Sequence, residues 1–284
     1  MHVTRHTDPD AFLAAAAPMA TRGEASASFF SGLAHMMKVT PPRPDEHVYL
    51  ATCAVDGALG AALQRDVGPV IVGESDAAAA VAFADDLAPD WPQLQGVVGA
   101  PAVSEAFARR WLDLTGRAHV LRVRLRQHML TRVEDVPAVS GAPRVAIDTD
   151  IEWLVAGQTA FIAELGIPDS PERMRAAMPG RVALGQFWIW DDPQPVAYAG
   201  FNDAAPAFAR VAPVYTLPDR RGKGYATALV AAMSRALLAR GKAKLFLTTD
   251  AANPTSNAIY ARIGYRAQNE DCHLDFVAPA GSSA

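Results

Sequence analysis

A basic segment with two glycines lies where an apolar strand pattern gives way to a helical pattern. It reads Arg220-Arg221-Gly222-Lys223-Gly224-Tyr225-Ala226, and apolar residues recur at helical spacing beyond it as far as Leu237. The first N–H groups of a helix have no partner within the helix and carry partial positive charge, so anions bind there. Because glycine has no side chain, a bulky pyrophosphate can approach the backbone closely. The segment therefore predicts a phosphate-binding loop.

Two other phosphate-binding motifs do not fit this segment. A nucleoside-triphosphate loop needs a hydroxyl residue after Gly-Lys, and here Gly222-Lys223 is followed by Gly224. A dinucleotide fold needs a third glycine three positions after Gly224, where this chain has Thr227. The plain alternative is a basic turn that only caps a helix.

A second motif follows one strand further along the chain. Residues 244–249 form an apolar strand run, Asn253-Pro254 then opens a helical segment, and Tyr260 precedes Ile263-Gly264-Tyr265. The order strand, Arg221-x-x-Gly224-x-Ala226, helix, strand, Asn253 and Tyr260 resembles the GNAT superfamily of acetyl-CoA-dependent N-acyltransferases. The resemblance extends from about Arg144 to the C-terminus.

The resemblance implies an enzyme that moves an acetyl group from acetyl-CoA to an amine of a small molecule or peptide by direct attack. It implies acetyl-CoA as cosubstrate, no metal ion and Tyr260 as the catalytic residue. The implied cofactor contacts are the backbone of Val214, Tyr215 and Thr216, the loop residues Arg221, Gly222, Lys223, Gly224, Tyr225, Ala226 and Thr227, and the residues Asn253, Ser256, Asn257 and Tyr260.

Tyr260 is expected to act as the general acid. A phenol with a pKa near 10 stays protonated at neutral pH and is available to the departing CoA sulfur. A general base is not identified, because the strand over residues 209–216 contains Arg210 and no carboxylate. Asp191, Asp192 and Asp203 are candidates in or near a turn, where carboxylates are usually solvated.

The length of 284 residues suits two domains of about 140 residues each. We predict a catalytic GNAT domain over residues 143–284 and a degenerate GNAT-like domain over residues 1–138, joined by a small-residue, proline-flanked linker. Each is expected to be an α/β domain with a mostly antiparallel sheet flanked by helices. The corresponding junction of the first half, residues 70–76, has two acids and no arginine, which disfavours phosphate. An unrelated α/β domain is the alternative for this half.

Composition restricts the partners. With 26 basic and 30 acidic residues, the chain has no basic field for nucleic acid. No apolar run reaches the length of a membrane span, and two cysteines are too few for a disulfide framework, so we expect a cytoplasmic protein. We expect a monomer or homodimer. The other classes left open are a non-catalytic acyl-CoA-binding module and a protein-interaction domain.

Overall fold

A computed structural model describes residues 2–18, 24–39, 41–43, 46–55, 58–65, 68–73, 75–166 and 171–278. Glu74, one of the two acids that disfavour phosphate in the first half, lies outside these residues. Within them, no helix is both long and apolar enough to span a bilayer.

The chain contains two successive sets of elements. The first set is β1 (His2–Arg5), α1 (Pro9–Ala16), α2 (Glu24–Val39), β2 (Val48–Val55), β3 (Ala58–Arg65), β4 (Val70–Val72), α3 (Ala77–Leu87), β5 (Gly96–Gly99), α4 (Pro101–Thr115) and β6 (Ala118–Leu130). The second set is β7 (Ala142–Val145), α5 (Ile151–Leu165), α6 (Pro171–Ala183), β8 (Phe187–Asp191), β9 (Pro195–Ala205), β10 (Phe208–Thr216), α7 (Tyr225–Ala239), β11 (Lys244–Asp250), α8 (Pro254–Ile263) and β12 (Arg266–Val277).

Both sets have the same order of elements: strand, two helices, three strands, helix, strand, helix, strand. The second half therefore repeats the first, as the sequence predicts. The predicted α/β class, a mixed and mostly antiparallel sheet flanked by helices, is confirmed. Within the described residues, the segment between β6 and β7 has no helix, in agreement with the predicted linker.

The two halves share one twelve-stranded sheet with the order β1-β2-β3-β4-β5-β12-β6-β11-β10-β9-β8-β7. The last strand of each half has crossed into the other: β12 pairs with β5, and β6 pairs with β11. β6 and β12 pair with each other at the centre. The division of the chain into residues 1–138 and 143–284 stays a prediction. In the structure, each of these two segments pairs with a strand of the other to complete its part of the sheet.

The exchange extends to the hydrophobic core. Phe276 of β12 stacks on Trp111 of α4, with ring centroids 5.4 Å apart, and also on Phe107. All three belong to one buried cluster with α3 and the strands of the first half. A residue near the C-terminus is thus part of the N-terminal core, and the exchanged strand is held by apolar burial as well as by its ladder hydrogen bonds.

Most elements agree with the sequence patterns, but β1 and β12 were not predicted. β12 begins with Arg266-Ala-Gln-Asn-Glu-Asp, a polar stretch without the β-branched residues that mark strands. Its pairing with β5 and β6 decides its conformation instead.

Substitution of Gly96 by alanine should loosen the exchanged strand. A Cβ built at Gly96 would clash with the main-chain oxygen of Leu274 in β12. Overpacking of this kind costs about 1–3 kcal/mol, so we expect a lower midpoint in urea unfolding. Gly180→Ala is the matched control: Gly180 lies in α6 with open space around it, and alanine there should be neutral or stabilise by up to about 1 kcal/mol. Equal midpoints for both variants would contradict the tight β5–β12 contact.

Candidate acyl-transfer site

A wedge opens between the parallel strands β10 and β11. Their pairing covers only Phe208–Arg210 against Lys244–Phe246. Beyond it, β10 bends away with an irregularity between Val211 and Val214, while remaining paired with β9 as far as Thr216. The far ends of β10 and β11 are therefore not paired with each other, and this unpaired end precedes the start of α7.

One edge of β10 faces this wedge. Leu217 donates its N–H to Val196 O of β9 at 3.0 Å. Because N–H groups alternate in direction along an antiparallel strand, Tyr215 also faces β9, while Val214 and Thr216 face the wedge. Of the three residues predicted to contact the cofactor through their backbone, Val214 and Thr216 thus direct their N–H groups toward its predicted position, and Tyr215 does not.

The predicted phosphate loop is open at the start of α7. Gly222 and Gly224 have φ values of 79° and 86°, which side-chain-bearing residues rarely adopt. None of the main-chain N–H groups of residues 222–227 donates to a backbone carbonyl of the described residues. These groups form a cradle of free donors at a helix N-terminus, as anion binding requires.

Tyr225 has a different role from that of the other loop residues. Its ring is buried, and its hydroxyl donates to Asp192 Oδ2 in the turn between β8 and β9. Ser140 of the linker also donates to this oxygen, at 2.6 Å. The Tyr225 side chain therefore fixes the loop to the sheet, and only its N–H faces the predicted phosphate position.

Arg221 is engaged by a carboxylate from α5. Its Nη2 donates to both oxygens of Glu164, at 2.8 and 3.0 Å, and its Nε donates to Thr216 O at 3.1 Å. Tyr215 donates its hydroxyl to the same Glu164 at 3.2 Å. These hydrogen bonds to Glu164 raise the pKa of Arg221. The arginine of the motif is thus occupied by an internal anion at the edge of the wedge.

The start of α8 contains three predicted cofactor residues. Asn253 is the N-cap and accepts a hydrogen bond from Ser256 N at 3.0 Å. Asn257 donates to the carbonyls of Asp250, Ala251 and Asn253 and accepts from Thr249 Oγ1 at 2.7 Å. Its side chain therefore joins α8 to β11. The exposed faces of Asn253 and Ser256 are better placed to meet a ligand, and the cofactor contacts of all three stay predictions.

Tyr260 lies on α8, half-buried between two other rings. Its ring centroid is 6.4 Å from that of His128 and 5.9 Å from that of Tyr265. Its hydroxyl makes no hydrogen bond to the described residues, whereas the Tyr265 hydroxyl is bonded to Ser234. Burial raises the pKa of Tyr260 to about 12. A protonated, unpartnered phenol is available for a ligand.

Two residues of the site have no signal in the sequence. Glu164 is an ordinary acid near the end of a helix, and only the structure brings it to Arg221. His128 lies on β6, in the first half of the chain, and the strand exchange places it beside Tyr260, with Nε2 3.0 Å from Thr249 Oγ1. Burial lowers the pKa of His128, so its neutral form is favoured.

The three carboxylates considered as bases are held elsewhere. Asp191 pairs with Arg144 at 2.6 Å, Asp192 accepts from Ser140 and Tyr225, and Asp203 pairs with Lys242 at 2.7 Å. None of these contacts directs a carboxylate into the wedge.

Comparison with known proteins identifies a family for part of the chain. Residues 155–265 match the acetyltransferase (GNAT) family. The chain therefore contains a GNAT acetyltransferase domain. No protein with a curated description matches the sequence. The matched residues include most of α5, the elements from α6 to α8, the loop and Tyr260.

Solved structures extend the GNAT fold to the whole chain. A GCN5-related N-acetyltransferase from Sphaerobacter thermophilus is 15% identical, with a TM-score of 0.64 over 98% of this chain and 96% of its own. A Drosophila protein is also 15% identical, with a TM-score of 0.63 over 98% and 99%. A tandem GNAT protein from the clavulanic acid biosynthesis pathway is 12% identical, with a TM-score of 0.51 over 99% of both chains. At these identities the likeness is one of fold.

Among the described residues of the first half, the corresponding strands β4 and β5 show no comparable opening. A Cβ on Gly99 of β5 would lie only 2.8 Å from Val72 O at the end of β4, so these strands stay adjacent where β10 and β11 separate. Asp76 caps α3 by accepting from Ala79 N at 2.8 Å. A carboxylate thus occupies the helix start that would have to bind phosphate. Both features agree with the prediction that this half is degenerate, which stays a prediction.

Glu164→Gln should strengthen CoA binding. The carboxylate competes with phosphate for Arg221, and an exposed ion pair is worth up to about 1 kcal/mol, so we expect an affinity gain of about two- to fivefold by calorimetry. The gain should shrink at high salt, which screens the competing charge. Glu152→Gln, on the same helix and paired only with Arg175 among described residues, is the matched control. Weaker binding in Glu164→Gln would show that the carboxylate supports the ligand instead.

Proposed function

We propose that the chain transfers an acetyl group from acetyl-CoA to an amine of a small molecule or peptide. The observation that carries the proposal is the wedge between β10 and β11, which opens directly onto the free N–H groups of Gly222–Thr227. A thioester with an extended arm and a pyrophosphate has the two features that this combination fits: a strand-like segment and an anion.

The donor is held by main-chain groups in this proposal. The pantetheine arm lies along β10 and pairs with Val214 and Thr216, and the phosphates lie over the loop and take Arg221 from Glu164. Asn253 and Ser256 contact the arm from α8. Fixed N–H dipoles near the thioester oxygen stabilise the charge that develops there, which is the largest contribution in many acyl transfers.

The reaction forms a C–N bond and breaks a C–S bond. The acceptor nitrogen attacks the thioester carbonyl and loses a proton, and the CoA sulfur leaves and gains one. The pKa of Tyr260, about 12, lies above that of a thiol, about 8.5, so complete transfer from the phenol to a free thiolate would be uphill. Tyr260 therefore donates a hydrogen bond to sulfur as its charge develops and regains any transferred proton from the solvent, which takes up the proton of the amine.

A cytoplasmic location is part of the proposal. Cys53 and Cys272 are both buried and free, as in proteins of a reducing compartment.

Tyr260→Phe should keep CoA affinity but reduce turnover. The variant removes only the phenolic hydroxyl, and an interaction made only in the transition state lowers kcat and kcat/KM together, here by about a hundredfold to ten-thousandfold. The loss should ease at low pH, where solvent can protonate the departing thiolate. The measurement is thiol release with a good acceptor.

Tyr265→Phe is the matched control, since the Tyr265 hydroxyl is buried and already bonded to Ser234 at 3.1 Å. If both variants turn over at the rate of the parent protein, Tyr260 is a packing residue and not a general acid.

One CoA molecule should bind per chain. The closed β4–β5 end and the Asp76 cap exclude a second cofactor from the first half. Native mass spectrometry with excess CoA measures the ratio directly. Two bound molecules would contradict the assignment of a single site.

A further inference from the structure

A cavity of about 370 Å³ lies away from the phosphate loop and Tyr260. Helix α2 of the first half forms one wall, and the ends of α6 and α7 with part of β9 form the others. We call it the α2 pocket. Leu237 and Arg240 border it at the C-terminal end of α7, whereas the phosphate loop lies at the other end of this 15-residue helix, about 22 Å away. Its apolar residues are Met36, Leu184, Phe201 and Leu237.

The charge around the α2 pocket is predominantly positive. Its single acid is Asp203, against five basic side chains: His35, Lys38, Arg181, Arg240 and Lys242. Lys38 is paired with Asp10 and Lys242 with Asp203, both at 2.7 Å. Among the described residues, Arg181 and Arg240 have no carboxylate partner.

Arg181 is the unusual member of this group, because it is only 6% exposed. Its Nε donates to Gln186 Oε1 and its Nη2 to Phe201 O, both at 3.1 Å, and its guanidinium lies 4.4 Å from the centroid of the Phe187 ring. All three partners are neutral. Burial lowers the pKa of Arg181 to about 10, which shows that its surroundings disfavour the charge.

A purely structural role accounts for only part of this arrangement. The two hydrogen bonds connect the end of α6 to Gln186, just before β8, and to β9, and so stabilise the packing of α6 on the sheet. They leave the buried charge without a counter-ion, although buried charges in proteins are normally paired. They also leave Nη1 without a hydrogen bond to any described residue, and Arg181 lines the α2 pocket. Leu184 on the cavity rim is 58% exposed, although leucine favours burial.

We propose that the α2 pocket binds a small organic monoanion with an apolar body. Its carboxylate pairs with Arg181 and Arg240, and its body packs against Met36, Leu184 and Leu237. The volume lies within the range of about 300–1,000 Å³ that small-molecule sites occupy, and an apolar lining with few polar groups is typical of them. Because one wall is α2, the ligand also stabilises the packing of the first half on the second.

Hexanoate is a suitable probe, with hexan-1-ol as its uncharged counterpart and inorganic phosphate as an anion without an apolar body. In calorimetry with the full chain, hexanoate should bind saturably, and the other two should bind at least about tenfold more weakly. No saturable binding of hexanoate would overturn the proposal. If hexan-1-ol bound as tightly as hexanoate, the proposed role of the charge would be wrong. If phosphate bound as tightly as hexanoate, the proposed role of the apolar body would be wrong.

Two variants locate the site. Arg181→Met should weaken hexanoate binding about tenfold or more, and Arg240→Gln about two- to fivefold, since a buried charge-assisted bond is worth more than an exposed one. Arg109→Gln, an exposed arginine of α4, is the matched control and should bind as the parent does.

If Arg181→Met does not fold, the exposed Arg240 still tests the site. Parent-like hexanoate affinity in Arg240→Gln would place the binding elsewhere and overturn the assignment. CoA affinity should be unchanged in every variant, so the outcome is independent of the proposed acyl transfer.

Discussion

The pairing of β6 with β12 at the centre of the sheet is the contact on which the rest of the molecule depends. It forces each half to complete its sheet with a strand of the other, so neither can assemble its hydrogen-bond ladder alone. Unpaired strand edges are costly and prone to association. The wedge is therefore a property of the whole chain, because β11 is supported on its far side by β6, a strand that precedes it by more than a hundred residues.

A buried polar network runs across this centre and helps to define its register. Arg210 of β10 donates to Gln127 of β6 and to Thr248 of β11, and Gln127 donates to Asp271 of β12 at 2.7 Å. Ser28 of α2 accepts from Arg210 at 3.1 Å. Burial lowers the pKa of Arg210 to about 9 and raises that of Asp271. Since a slip of one residue would direct every one of these side chains to the other face, the network allows one alignment of the four strands.

Local patterns were sufficient for most of the elements and for the loop, but not for β1, for β12 or for the residues that contact the loop. The glycines at 222 and 224 predicted an open loop at a helix start, and the structure places both just before α7 with positive φ. The order of strands, helices and motifs in the second half was likewise predicted from local sequence patterns. Glu164, His128 and the exchange itself were missed, because each depends on contacts between distant parts of the chain. Asn257 was predicted to contact the cofactor from its place in the motif. In the structure its side chain makes four hydrogen bonds, all to residues between Thr249 and Asn253.

Two halves with the same order of elements differ in whether the parallel strands separate. In the first, β4 ends at Val72, close against Gly99, and Asp76 occupies the following helix start. In the second, the irregularity at residues 211–214 turns β10 away, and glycines replace the capping carboxylate. Both differences concern a few residues where β4 and β10 end, whereas the order of elements around them is the same. A half without a phosphate site can therefore still serve as the structural partner that the other requires, because the exchanged strands depend on the sheet and the cores and not on these loops.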